Sequence, residues 1–164
     1  MKLKRPEIVF VFSPAHGNLG VFRGHLGVAY LRAALARDGI VTAQYCNDNP
    51  GPVDAVAAGI LSTKPPIVGF TVYDSNFLTT LALARSIKRQ QPGVQVVLGG
   101  PTATFCATQI LEKHDVVDAC VLGEAEETGA RIFSKLLGGG ILDDSQPGIA
   151  IRREGAVFST GLAP

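Results

Sequence analysis

The side chains able to do chemistry are few, and they do not converge in the chain. His16, His25 and His114 are the only imidazoles in 164 residues, and Cys46, Cys106 and Cys120 are the only thiols. None of the cysteines stands in a CxxC pair. Their odd number and wide spacing fit neither a disulfide framework nor a zinc site, and the CxxxCxxC run that would hold an iron–sulfur cluster does not occur. The cysteines are expected to be small buried hydrophobes in a reducing compartment. His114, at the end of a helix-like stretch, is expected to make a favourable contact with the helix dipole. Asp74 stands without the acidic neighbours that a magnesium site requires. Glu124, Glu126 and Glu127 open a helix-like segment, where acids complement the dipole by about 0.3–1 kcal/mol each when exposed. They do not read as an acid–base pair, and no nucleophile sits beside a base.

A different kind of chemistry is written in the backbone. In "VVLGGPTATF", residues 96–105, a run of β-formers ends in Gly99 and Gly100, followed by Pro101, Thr102 and Ala103. Two adjacent glycines strip both side-chain walls from a strand end. Either the chain needs the freedom for a tight strand-to-helix turn, or something long lies against the bare backbone, with the hydroxyls of Thr71 and Ser75 nearby.

The elements that must hold this doorway follow from the apolar pattern. Five short runs (residues 8–12, 41–45, 67–72, 94–98 and 119–122) are mostly continuous rather than alternating, as in parallel strands covered on both faces. Helical periodicity fills the gaps over residues 26–38, 53–62, 76–91, 102–113 and 126–137, with glycine or proline stops after nearly all of them. A repeating strand–helix order implies a parallel sheet with helices on both faces. Five such units match a flavodoxin-like, doubly wound α/β fold with strand order 2-1-3-4-5. "GIAIRREGAVFST" adds two short strand-like runs around Gly155, a β-hairpin, and "GLAP" carries no element of its own.

Composition narrows the class. Hydrophobic residues make up 46% of the chain, and 15 basic residues face 14 acidic ones for a net charge of +1. A globular domain follows, without the clustered basic excess of nucleic-acid or membrane-surface proteins. The apolar "IVFVF" is shorter than a signal-peptide core of about 7–15 residues. No segment approaches the roughly 20 apolar residues of a membrane span. A cytoplasmic location is the expectation.

In open parallel sheets ligands bind beyond the carboxyl ends of the strands, and the unusual residues collect there. "SPAHGNLGVFRGHLG" follows the first strand, "YDSN" the third, "GGPTAT" the fourth and "GEAEE" the fifth. The glycine-rich first loop lacks GxGxxG spacing and the lysine of a phosphate loop. Ser13 and Pro14 stand where a receiver domain needs acids, and Ser13 alone does not make the hydroxyl-rich loop of a flavodoxin.

Taken in order, "GHLGVAYLRAAL", "IVGFTVYDSN", "VVLGGPTATF" and "VDACVLGEAEET" resemble the cobalamin-binding domain that precedes the catalytic domain of cobalamin-dependent radical SAM enzymes. The likeness runs from about residue 9 to residue 137 and into the hairpin. It implies a flavodoxin-like, Rossmann-like domain with cobalamin at the carboxyl ends of the strands, its nucleotide tail descending into the domain and its corrin exposed. By resemblance, Gly99 and Gly100 flank the tail, and Pro101, Thr102 and Ala103 shape its pocket. Thr71 supplies a hydroxyl, and Tyr73, Asp74, Ser75 and Asn76 lie under or beside the corrin. Leu19, Gly20 and Val21 form part of the lower face, and Gly123 and Glu124 close the far side.

The chain departs from the DxHxxG motif whose histidine binds cobalt from below in other cobalamin carriers. Here Arg23-Gly24-His25-Leu26-Gly27 lacks the aspartate and shortens the spacing. His25 is carried forward as a candidate axial metal ligand against a helix-start or surface histidine. Without the iron–sulfur motif, the resemblance implies a fragment or stand-alone carrier rather than a complete catalyst. Residues 1–140 would form the cobalamin-binding domain and residues 141–164 a hairpin and linker toward a radical SAM catalytic domain, in cis or in trans. S-Adenosylmethionine and an iron–sulfur cluster would belong to that domain, a methyltransferase acting on a small-molecule or peptide substrate, with no nucleic acid and no membrane as partners. Two alternatives remain open on the residues alone: a degenerate, structural cobalamin-like domain, and a self-contained small-molecule-binding protein using Asp74, Glu124, His16 and His25.

Overall fold

A computed structural model describes residues 4–13, 25–46, 51–139 and 146–162; the side chains of Cys46, Glu126 and Glu127 are also outside the description. Five βα units run in order: β1 (Ile8–Phe12), α1 (Leu26–Arg37), β2 (Thr42–Cys46), α2 (Val53–Leu61), β3 (Ile67–Thr71), α3 (Phe77–Gln90), β4 (Gln95–Gly99), α4 (Pro101–Lys113), β5 (Ala119–Val121) and α5 (Ala125–Leu137). A single 3-10 turn, Asp74–Asn76, leads into α3, and a hairpin of β6 (Ile149–Arg153) and β7 (Ala156–Ser159) closes the chain. The expected helix over residues 76–91 is divided at its start because Asn76 turns its side chain back onto the chain, where Oδ1 accepts the Tyr73 amide at 2.9 Å.

The strands form one sheet ordered β2-β1-β3-β4-β5-β6-β7. The first five are parallel in the expected 2-1-3-4-5 order. The hairpin does not stand apart. β6 pairs antiparallel with β5, with Ala119 opposite Ile151 and Val121 opposite Ile149. β5 has only three residues, so β6 covers an edge that would otherwise expose unpaired amides. Glu154 and Gly155 join β6 to β7 with φ of 51° and 83°, the positive pair of a type I′ hairpin turn.

The side-chain period of two divides the core into two layers. Val68, Phe70, Val96, Leu98 and Cys120 pack against α2, α3 and α4. Ile8, Phe10, Ile67, Val97, Ala119 and Val121 pack against α1 and α5. All five residues of β3 are buried, as a central parallel strand requires. Two polar staples fix the sheet's margins. Asp118 accepts the Val96 amide at 2.6 Å and pairs with Lys88 at 2.7 Å. The Arg152 guanidinium reaches from β6 to the carbonyls of Leu111, His114 and Val117, where α4 ends.

Candidate functional site

The α1/α5 layer is not packed solid. A cavity of about 450 Å³ opens at the carboxyl ends of β3 and β4 and runs back between the sheet and those two helices. Its floor follows from strand register: Gly69 lies beside Val97 and Thr71 beside Gly99, so two of four floor positions carry no side chain. Val28 and Leu31 of α1 and Phe133 of α5 roof it. Phe10 walls the back, edge-on to Phe133 at 5.6 Å between centroids.

Three glycines shape this space for three reasons. A Cβ on Gly69 would fall 2.8 Å from the Phe10 ring, so Gly69 lets that ring lie across β3. A Cβ on Gly129 would fall 2.4 Å from Leu31, so α1 and α5 touch there only because the side chain is absent. Gly99 differs: a Cβ there would meet nothing nearer than the Phe70 carbonyl at 4.0 Å. The protein leaves that direction open, and it opens into the cavity.

Gly100 answers the other half of the question raised by the doublet. Its φ of 93° and ψ of −178° lie in a region essentially restricted to glycine. An added Cβ would sit 2.9 Å from the Val72 carbonyl oxygen. Gly100 is therefore the tight turn that starts α4, and Gly99 is the bare wall. The turn belongs to Gly100, and the open backbone to Gly99.

Of the residues selected from sequence, His25, Thr71, Tyr73, Gly99, Gly100, Pro101, Gly123 and Glu124 line the cavity. Asp74, Ser75, Asn76, Thr102 and Ala103 do not. Asp74 and Ser75 are exposed, and Asp74 accepts a 2.8 Å hydrogen bond from Thr102 Oγ1, linking the β3 and β4 exit loops. Asn76 is buried and braces the floor, its Nδ2 donating to the carbonyls of Ser13 at 2.9 Å and Thr71 at 3.1 Å. Ala103 is fully buried in the opposite layer. Leu19, Gly20, Val21 and His16 lie outside the described residues.

His25 occupies the position before α1. Its Nε2 is 2.6 Å from Tyr73 Oη, and its Nδ1 is buried without a partner. The ring lies between Phe12 and Tyr73, both at 5.9 Å between centroids. Burial pulls its pKa below the ordinary value, which keeps it neutral at pH 7. Among the described residues, no group of three or more His, Cys, Asp or Glu could hold a metal ion.

One expectation for the lone residues needs correction. Cys120 is buried, and burial pushes its thiol up to about 12, but Cys106 is exposed. It sits at a break in α4, at φ −119° and ψ 15°, beside the exposed Phe105. His114 stands at the end of α4, as expected. Burial, then Arg85 and Lys113, lower its pKa, with only Asp115 opposing, and its ring packs against Phe77 at 5.8 Å.

Sequence reasoning missed the cavity's depth: Phe10, Gly69, Val97 and Phe133. Gly69 is the signal that was available, since a glycine inside a buried strand marks a close approach. It also missed Thr104, whose Oγ1 donates to the Gly100 carbonyl at 3.0 Å and accepts the Gly123 amide at 3.0 Å, tying the β4 exit to the β5 exit. Leu162, also on the wall, lies far along the chain in a stretch assigned no element.

A mostly apolar cavity of this size, at the strand ends and with few polar groups at its mouth, is the form a small-molecule or cofactor site takes. The B12 binding domain family model matches residues 17–133, and the chain belongs to that family. It is similar to the cobalamin-dependent radical SAM methyltransferase TokK of Streptomyces tokunonensis, 29% identical over 127 residues, which are 75% of this chain and 18% of that protein. It is also similar to the 2-(S-pantetheinyl)-carbapenam-3-carboxylate methyltransferase of Streptantibioticus cattleyicolor, 30% identical over 74% of this chain and 18% of that protein. The chain thus spans less than a fifth of the length of these two relatives. Among solved structures, the radical S-adenosylmethionine methyltransferase TsrM from Kitasatospora setae, with cobalamin and a [4Fe-4S] cluster bound, superposes with a TM-score of 0.79 at 15% identity, covering 97% of this chain and 29% of that one. OxsB with aqua-cobalamin bound gives 0.80 at 18% identity, covering 97% and 22%. The fold is shared with both. The chain is a cobalamin-binding domain similar to those of cobalamin-dependent radical SAM methyltransferases.

Proposed function

We propose that the cavity between the sheet and α1/α5 receives the nucleotide tail of cobalamin, and that the domain presents the corrin at the mouth to a radical SAM catalytic domain. The observation that carries this reading is Gly99, a strand-end residue whose missing side chain faces the cavity and nothing else. The residues fit such a group: an apolar slot to take a planar base, with Thr71 on the floor and Tyr73 and Pro101 at the rim. Gly100 and Thr104 hold the turn that shapes the slot, and Asn76 holds the floor in register. When bound, cobalamin supplies a cobalt centre able to carry a methyl group. The chain's own residues bind the tail, orient the ring and keep water from the slot.

His25 is assigned a positioning task rather than a place on cobalt. Its Nε2 is engaged with Tyr73 and its Nδ1 faces the interior, so no free ring nitrogen is offered at the mouth. The carrier takes in the β6–β7 hairpin, which belongs to its sheet, and the catalytic domain is supplied in cis or in trans. S-Adenosylmethionine and the iron–sulfur cluster belong to that domain, as does the small-molecule or peptide substrate. The enzyme is assigned to the cytoplasm; no helix of the described residues is long and apolar enough to cross a membrane. The test is an absorbance titration with hydroxocobalamin followed by desalting. A retained, stoichiometric corrin spectrum is expected. Loss of the corrinoid on desalting, from this chain and from one extended past Pro164, would leave only a structural role.

A further inference from the structure

The hairpin makes a contact that the strand–helix frame does not require. After β7 the chain runs on in the same antiparallel register, past the start of β6, and is fastened to the segment that enters β6. The Thr160 amide donates to the Ile149 carbonyl at 3.0 Å, and Thr160 Oγ1 accepts the Ile149 amide at 3.1 Å. The Gly148 amide donates to the Gly161 carbonyl at 3.0 Å, and the Gly148 carbonyl accepts the Leu122 amide at 2.8 Å. Through this ladder residues 160–161 are tied to the carboxyl end of β5. Gly161 turns with φ of 73°, and Leu162 comes to lie over the β5 exit. Its Cδ2 is 3.3 Å from where a Cβ on Gly123 would stand.

Leu162 lines the cavity and is nevertheless 58% exposed. A leucine whose backbone neighbours are held by several hydrogen bonds, and whose side chain is then left uncovered at a cavity mouth, is not placed there for the core. Gly123, the residue beneath it, has a φ of 72° and no side chain to compete for the space. Residues 160–162, the strap, lie outside the span matched by the family model, 17–133.

We infer that residues 160–162 form a further wall of the cofactor site, and that Leu162 covers the bound nucleotide tail from the β5 side and slows its release. The inference rests on the cobalamin reading above. The hairpin then has a use beyond protecting the edge of β5: it carries the strap to the mouth.

The test is the dissociation rate of hydroxocobalamin from the 164-residue chain, followed by absorbance during dilution into a corrinoid-free buffer. Leu162→Ala is expected to release the corrinoid about tenfold faster than the wild type, equivalent to about 1.4 kcal/mol. Leu162→Met should restore most of the retention. Thr160→Val removes the hydroxyl that fastens the strap without touching Leu162, and should accelerate release to a similar degree. Far-UV circular dichroism and the melting temperature should change little in the Leu162 variants. Release from Leu162→Ala within twofold of the wild type would overturn the inference while leaving the cofactor reading intact. If neither the 164-residue chain nor one extended past Pro164 retains hydroxocobalamin, the cofactor reading fails and the strap with it.

Discussion

Gly99 and Gly100 are adjacent, yet substitution should make them fail in different ways. In Gly100→Ala, the backbone at φ 93° and ψ −178° costs an alanine about 1–3 kcal/mol. The new Cβ also meets the Val72 carbonyl oxygen at 2.9 Å and the Val72 nitrogen at 3.2 Å. Neither atom can move aside. The Val72 amide donates to the Gly99 carbonyl at 2.8 Å, and the Val72 carbonyl accepts the Thr102 amide at 3.3 Å. A total near 2–3 kcal/mol is expected, which in a domain of this size lowers the melting temperature by about 4–12 °C. Gly99→Val faces no such obstacle. Its Cβ meets nothing closer than 4.0 Å, a β-branched residue suits a strand, and removing a strand glycine is worth roughly 0.5–1 kcal/mol. Its melting temperature should hold or rise. The added carbons instead occupy the cavity floor, and hydroxocobalamin retention should fall at least tenfold. The assays are a thermal melt and corrinoid retention after desalting, run on both variants. A Gly99→Val protein that melts as low as Gly100→Ala would refute the assignment of the open wall. One that holds corrinoid like the wild type would refute the passage of the tail across it.

The other expectations concern the frame around the site. Gly69→Ala forces its Cβ against Phe10 and should cost about 1–3 kcal/mol; combining it with Phe10→Leu should recover part of that loss, measured as a coupling energy by urea denaturation. His25 and His114 both have pKa values lowered by folding, so the unfolded chain binds more protons as pH falls past the ordinary value of 6.5. Stability therefore decreases on acidification, and the drop in melting temperature between pH 7.5 and 5.5 should shrink in His114→Gln. Arg152→Met removes the hydrogen bonds to the end of α4 and should lower stability by about 1 kcal/mol, read by urea denaturation, without changing corrinoid retention. In a Cys46→Ser background, Cys106 should react with a thiol reagent in the native state, and Cys120 only after unfolding.

The frame was legible because each of its determinants is local. Continuous apolar runs mark β1, β3 and β4, and glycine or proline stops mark nearly every helix end. β2 and β5, which are shorter or less apolar, were still placed to within a residue or so by the alternation around them. The mouth of the cavity was legible too, since unusual residues in strand-end loops stand out from the pattern. Its interior was not. Phe10, Val97 and Phe133 are ordinary core residues by type, and only the register of β3 with β1 and β4 shows that Phe10 lies over Gly69 while the space above Gly99 is unfilled. His25 illustrates the same limit: its partner Tyr73 is 48 positions away, and no local motif joins the two. Leu162 reaches the site through the β6–β7 ladder and the Thr160 hydroxyl, which no apolar periodicity encodes.

The roof of the cavity joins distant parts of the chain. α1 and α5 touch each other through Leu31 and Gly129, but the whole chain from residue 38 to residue 124 lies between them, whereas the floor is two neighbouring strands joined by a single helix. Closing the longer loop costs more chain entropy, and contacts of high sequence separation form late. The floor can therefore exist without the roof, but the roof cannot exist without the floor. Opening of the α1/α5 pair is then the lowest-energy partial unfolding that exposes the slot. Amide hydrogen exchange should be fastest among buried amides in these two helices, and a bound cofactor bridging floor and roof should slow it there first.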